Sequence, residues 1–157
     1  ASGIGLPGSL APAAERRGWR ARIAAERIEA LGMTGFFARH PTLKPPVVFA
    51  PVTAHYSWRK GVNLIGLGRD ALHLVPEQGM RMDPGALATA LDTARDAGQP
   101  VLMVVGVLGS TEFGTVDPID ALVDERDRRG AEGQGFAVHV DGAWGGYLTT
   151  LFRDPDG

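Results

Sequence analysis

Val101-Leu102-Met103-Val104-Val105-Gly106-Val107 is a run of seven residues with no polar side chain. A run this short, apolar and rich in β-branched residues is a strand covered on both faces. Residues 47–50, 71–75 and 136–140 are further short strands, apolar but for His73 and His139. Helical segments lie between them. Residues 54–66 have helical spacing, weakened by Gly61. Asp83-Pro84 offers an N-cap and a first-turn proline. Leu87, Leu91 and Ala94 follow on one face, and Gly98 closes the helix. Asp117-Pro118 starts another helix, containing Ile119, Leu122 and Val123. Upstream, residues 13–31 predict a helix through Trp19, Ile23, Ile28 and Leu31. Residues 32–46, with Gly32, Gly35, His40-Pro41 and Pro45-Pro46, read as a connection, and residues 1–12 as a loop.

Strands alternating with helices predict an α/β fold, a mainly parallel sheet flanked by helices. Ligands of such sheets bind beyond the carboxyl ends of the strands. Thr53-Ala54-His55, Gly109-Ser110-Thr111 and Asp141-Gly142-Ala143 each follow a strand, so three polar groups converge on one sheet edge.

The chain has 157 residues, enough for one domain burying roughly 70% of its extended surface. There is no internal repeat. A net charge of −2 offers no basic field for nucleic acid. The absence of cysteine excludes disulfides, thiolate metal sites and thiol catalysis. No apolar run approaches the roughly 18 residues of a membrane helix, and residues 1–12 lack signal-peptide features. A cytoplasmic location is the expectation. Gly3-Ile4-Gly5-Leu6-Pro7-Gly8 matches G-x-G-x-x-G, but no strand precedes it and Pro7 interrupts a helix start. It reads as a flexible terminus.

Taken singly, the polar residues leave two readings open. Asp141 closes an apolar strand, where a carboxylate serves either as an N-cap or as counter-ion to a bound cation. His55 alone reads as a satisfied core or loop histidine. Thr111, in a Gly-Ser-Thr-Glu-Phe-Gly run, fits a plain turn or a backbone that approaches a ligand. His139 and Asp141 share a strand face, yet no third residue completes a metal set, and no metal is expected.

Taken together, they resemble a known family. Ala54-His55-Tyr56-Ser57-Trp58, the run Gly109 to Asp117 and His139-Val140-Asp141-Gly142-Ala143-Trp144-Gly145-Gly146 occur in the order seen in group II pyridoxal-phosphate (PLP) dependent amino-acid decarboxylases. Arg81-Met82-Asp83 and the run Val101 to Gly114 are most similar to the bacterial tyrosine decarboxylase branch. The resemblance covers about residues 47–153. It implies part of the large domain of a fold-type-I PLP enzyme, with residues 1–46 as a lead-in. It implies PLP as cofactor, and His55 and Asp141 in catalysis. In this reading Asp141 pairs with the protonated ring nitrogen, and His55 stacks on one ring face. Ala143 packs on the other face, and Thr111 lies near the cofactor. Gly142 departs from the family's usual alanine.

The implied reaction converts an L-amino acid to its amine and CO₂. A tyrosine-like aromatic substrate is favoured, with glutamate and aspartate open. The family also implies a homodimer. Its cofactor-binding lysine lies downstream of the third motif, and Lys44 and Lys60 are the only lysines here. Its phosphate loop, expected before His55, is not found. The expectation is a segment of a longer enzyme, inactive alone. The alternatives are a non-catalytic remnant serving as an interaction piece, and another PLP reaction on the same fold.

Overall fold

The computed structural model describes residues 12–151. The glycine-rich stretch 3–8 and residues 152–153 lie outside the described residues. The chain divides into two compact units, residues 1–43 and 44–157.

In the first unit, α1 (Ala13–Ala25) and α2 (Ile28–Arg39) replace the expected single helix and connection. Arg27 is extended and ends the first helical run, and Gly32 kinks the second at φ 65°. Gly35 is taken up inside α2. Glycines 32 and 35 read as breakers in sequence, yet only Gly32 bends the chain. Glu26 pairs with Arg39 at 3.1 Å.

The second unit holds a four-stranded sheet of β1 (Val47–Pro51), β2 (Leu72–Val75), β5 (Val101–Val107) and β6 (Ala137–Asp141). Their spatial order is β2-β1-β5-β6, and every pair is parallel. The expected α/β fold with a parallel sheet is therefore present. Helix α3 (Ser57–Leu64) joins β1 to β2, and α5 (Ile119–Ala131) joins β5 to β6. Between β2 and β5 run a two-stranded hairpin, β3 (Glu77–Gln78) with β4 (Arg81–Met82), and helix α4 (Pro84–Asp96).

Strand β1 explains the continuous apolar runs. Val47 and Phe49 face a core with Leu87, Leu91, Val104 and Leu122, the side of α4 and α5. Val48 and Ala50 face Val62, Val105 and the half-buried Trp58, the side of α3. Both faces are covered, and each fully buried valine is worth about 1.5–3 kcal/mol.

One expected element differs in extent, and one element was not expected. Helix α3 begins at Ser57 rather than at residue 54, because Ala54 N–H donates to Pro51 C=O at 2.9 Å and closes a turn. Gly66, at φ 82°, lies just past its end. The hairpin at residues 77–82 escaped the sequence reading. Its turn residues Gly79 and Met80 both have positive φ, 64° and 61°, the geometry of a tight hairpin turn. Met80 is an unusual residue there, and its N–H is held by the Glu77 carboxylate. Asp83 caps α4 as expected, accepting from Gly85 N–H at 2.8 Å and Ala86 N–H at 3.2 Å.

Helices α4 and α5 are stapled by a buried guanidinium. Arg129 is 2% exposed and donates to Glu125 at 2.6 Å, Asp92 at 3.0 Å and Ala88 C=O at 3.0 Å. Donation from Arg128, then from Arg129, holds the Glu125 carboxyl below its usual range against the opposing effect of burial. A carboxyl lowered on folding stabilises the fold above its unfolded pKa and loses that contribution as pH falls through the folded value. Glu125→Gln is expected to cost about 1 kcal/mol at pH 7. Urea unfolding at stepped pH checks this, and the gap to wild type should close in acid.

Candidate functional site

The parallel registers align the strand ends. Pro51 pairs with Val75, and Val107 with Asp141, so the loops after β1, β5 and β6 leave one edge of the sheet. The chain runs from β1 to β2 on one side, then crosses to β5 on the other. The crevice between β1 and β5 is thus a topological switch point, where open α/β sheets bind ligands.

After β1, the turn closed by Ala54 carries Thr53 and His55 over the edge. His55 C=O accepts from Trp58 N–H at 3.1 Å as α3 opens. His55 Nδ1 accepts from Ser57 N–H at 3.3 Å and lies 2.9 Å from Ser57 Oγ. A backbone N–H can only donate, so in the neutral ring the proton sits on Nε2.

After β5, the chain folds back on itself. Gly109 and Ser110 N–H both donate to Thr115 C=O, at 3.1 and 2.9 Å. Thr115 Oγ1 donates to Met80 C=O at 2.7 Å and accepts from Ser110 Oγ at 2.9 Å. Thr111, Glu112 and Phe113 stand at the tip of this loop. Beneath it lies Asp117, 3% exposed. Its Oδ1 accepts from Met82 N–H and its Oδ2 from Val107 N–H, both at 2.7 Å. Asp117 therefore locks hairpin, strand and loop together.

After β6, Asp141 ends the strand with its carboxylate held at both oxygens. Oδ2 accepts from Trp58 Nε1 at 2.9 Å, and Oδ1 from Ala143 N–H at 3.3 Å. Gly145 N–H donates to Leu108 C=O at 2.9 Å. A side chain on Gly145 would run into that same carbonyl, so glycine permits the β6 loop to close on the β5 loop.

His55, Thr111, Asp141 and Ala143 line one cavity of about 140 Å³, together with Thr53 and Ser57. A neighbouring cavity of about 510 Å³ shares Thr53, His55 and Thr111 and adds Glu77, Met80 and Phe113. The four residues singled out from sequence thus meet in one place. Asp141 makes a cap-like bond to Ala143, but it also faces the cavity. Gly142 fits its site closely: an added Cβ would lie 3.1 Å from Gly146 Cα.

Three contributors had no assigned role in the sequence reading. Ser57 fixes the His55 tautomer. Trp58 holds Asp141. Thr53 Oγ1 is buried and has no hydrogen-bond partner among the described residues. Thr53 was visible as a polar residue at a strand end. The Trp58–Asp141 bond spans 83 positions and leaves no local signal.

Comparison with known proteins places this arrangement. Residues 21–155 match the pyridoxal-dependent decarboxylase conserved domain. The chain is 46% identical over 107 residues to L-tyrosine decarboxylase of Levilactobacillus brevis, covering 68% of this chain and 17% of that protein. It is 39% identical over 111 residues to a probable L-aspartate decarboxylase of Haloarcula marismortui, covering 71% and 27% respectively. The structure of mouse CSAD in apo form superposes with a TM-score of 0.61 and 34% identity, over 70% of this chain and 24% of that one. The chain therefore spans between about a sixth and just over a quarter of each relative. With the family domain matched over most of its length, this chain belongs to the pyridoxal-dependent decarboxylases.

Proposed function

We propose that the full natural protein carrying this segment is a PLP-dependent amino-acid decarboxylase, and that residues 44–157 supply part of its cofactor site within a fold-type-I large domain. The observation that carries this reading is the convergence of His55, Thr111, Asp141 and Ala143 on one cavity at the switch point. The donor set fits the cofactor. A fixed carboxylate suits a protonated ring nitrogen, and a flat imidazole and a small methyl side chain suit the two ring faces. The unpartnered Thr53 hydroxyl is a polar group in want of a ligand.

When bound, PLP supplies the electron sink for the charge left at the substrate α-carbon as CO₂ departs. Asp141 holds the proton on the ring nitrogen. His55 presents a ring face and, in its neutral form, an Nε2–H donor. Thr111, on its hydrogen-bonded loop, borders the same space. Neither lysine serves here: Lys44 Nζ donates to Ala97 C=O at 2.6 Å, and Lys60 Nζ lies 4.5 Å from the Tyr56 ring centroid. The covalent lysine is proposed to come from another part of the natural chain.

An aromatic, tyrosine-like substrate is supported by the 46% identity to a tyrosine decarboxylase. The similarity to a probable aspartate decarboxylase keeps acidic substrates as the alternative. The homodimer that the family resemblance implies is proposed for the full natural chain. The cysteine-free composition is compatible with the cytoplasm, and among the described residues no helix is long and apolar enough to cross a membrane.

The test is to express the full natural chain, titrate it with PLP, and assay CO₂ release from tyrosine, glutamate and aspartate. Stoichiometric PLP binding with fastest turnover of tyrosine is expected. PLP binding with faster turnover of an acidic substrate would overturn the substrate assignment alone. PLP binding without CO₂ release would overturn the decarboxylase reading.

A further inference from the structure

We propose that Trp58 is a positioning residue that aims the Asp141 carboxylate at the ring nitrogen of the bound cofactor, an inference that rests on the decarboxylase reading above. Trp58 is the second residue of α3, and Asp141 closes β6. The indole Nε1–H donates to Oδ2 at 2.9 Å, while Ala143 N–H holds Oδ1 at 3.3 Å. A carboxylate with one donor on each oxygen cannot turn about its Cβ–Cγ bond without losing one of them. Each oxygen keeps a free lone pair, so the carboxylate still accepts a further N–H.

The indole is itself immobilised. It is half-buried against the cluster of Val48, Ala50, Val62 and Val105. Its ring meets His139 edge to face, with centroids 5.1 Å apart and planes at 71°. His139 lies two positions before Asp141 on the same face of β6, so one strand supplies both the packing partner and the acceptor. The orientation of Asp141 is thus set by the hydrophobic core under α3 rather than by the mobile end of an exposed side chain. Ala143 strengthens the arrangement: the residue that lines the cavity beside Asp141 also donates to it. Trp58 itself does not line that cavity, so it acts through Asp141 rather than on the ligand.

The experiment is a double-mutant cycle on PLP affinity in the full natural chain, with Trp58→Phe, Asp141→Ala and the double variant. The dissociation constant is read from cofactor absorbance, and thermal midpoints are taken without cofactor. Phenylalanine keeps a ring in the core and removes the donor. Trp58→Phe is expected to weaken PLP binding roughly tenfold, because the released carboxylate must be ordered again when it meets the ring nitrogen. In the Asp141→Ala background the same change is expected to have no further effect, because its target is gone. Should Trp58→Phe disturb the fold, 3-benzothienylalanine at position 58 replaces the ring N–H by sulfur in nearly the same shape. It is expected to weaken PLP binding roughly tenfold while the cofactor-free protein keeps a cooperative unfolding transition, with its midpoint lowered only by the one lost hydrogen bond.

Equal weakening with and without Asp141, or no weakening by either replacement, would overturn the positioning role while leaving the decarboxylase reading intact. Failure of the wild-type chain to bind PLP would overturn both.

Discussion

Asp141→Ala in the full natural chain is expected to lower kcat by about 10²–10³-fold, the usual consequence of removing one preorganised electrostatic group from a reacting centre. The loss has a specific physical origin. In the proposed decarboxylation, negative charge would be left on the substrate α-carbon, and a bound PLP ring would accept it best with its nitrogen protonated. Asp141 is the carboxylate that lines the cavity shared by His55, Thr111 and Ala143. Its two protein donors fix its direction without neutralising it. Asp141→Asn keeps the shape but removes the charge, so most of the loss should persist. His55→Ala, which would remove the proposed stacking partner, worth about 0.5–1.5 kcal/mol, is expected to cost only about 2–10-fold. Steady-state kinetics beside PLP titration separates the two residues. An Asp141→Asn enzyme with near wild-type kcat would show that the charge is not what the reaction uses.

The two central strands, β1 and β5, could be read from sequence because they supply residues to both cores. Val47 and Phe49 enter one core and Val48 and Ala50 the other, so no polar residue interrupts the run. Helix α4 was equally plain, since Asp83 caps it through bonds two and three residues away. What escaped was non-local or depended on backbone angles. The hairpin turn uses Gly79-Met80 instead of the asparagine–glycine pair that signals such turns. At Gly32 the positive φ kinks α2 and helix resumes beyond it, so the glycine bends the segment without ending it. At the site, the placement of His55, Thr111 and Asp141 followed from the rule for parallel sheets, while their proposed roles came from family resemblance. The bonds that steer them, from Ser57 to His55 and from Trp58 to Asp141, became visible only in three dimensions.

Asp117 makes the same point through stability. Asp117-Pro118 reads as the start of a helix, and α5 does begin at Ile119, yet the carboxylate does not cap it. It reaches back to two main-chain amides, Met82 N–H and Val107 N–H, both at 2.7 Å in the interior. Asp117→Ala would strand two buried donors, each costing about 1–3 kcal/mol, so a loss of about 2–6 kcal/mol is expected in urea unfolding of the full chain. Asparagine should rescue little. Its single carbonyl can satisfy one amide, and its NH₂ would then point a donor at the other. The damage should also reach the site, because Val107 ends the strand from which the Thr111 loop departs, and that loop is tied to the hairpin through Thr115 and Met80. Weaker PLP binding is therefore expected in any Asp117→Asn protein that folds. A variant with wild-type stability and affinity would mean that these two amides find other acceptors, and that the loop is held by its own turn alone.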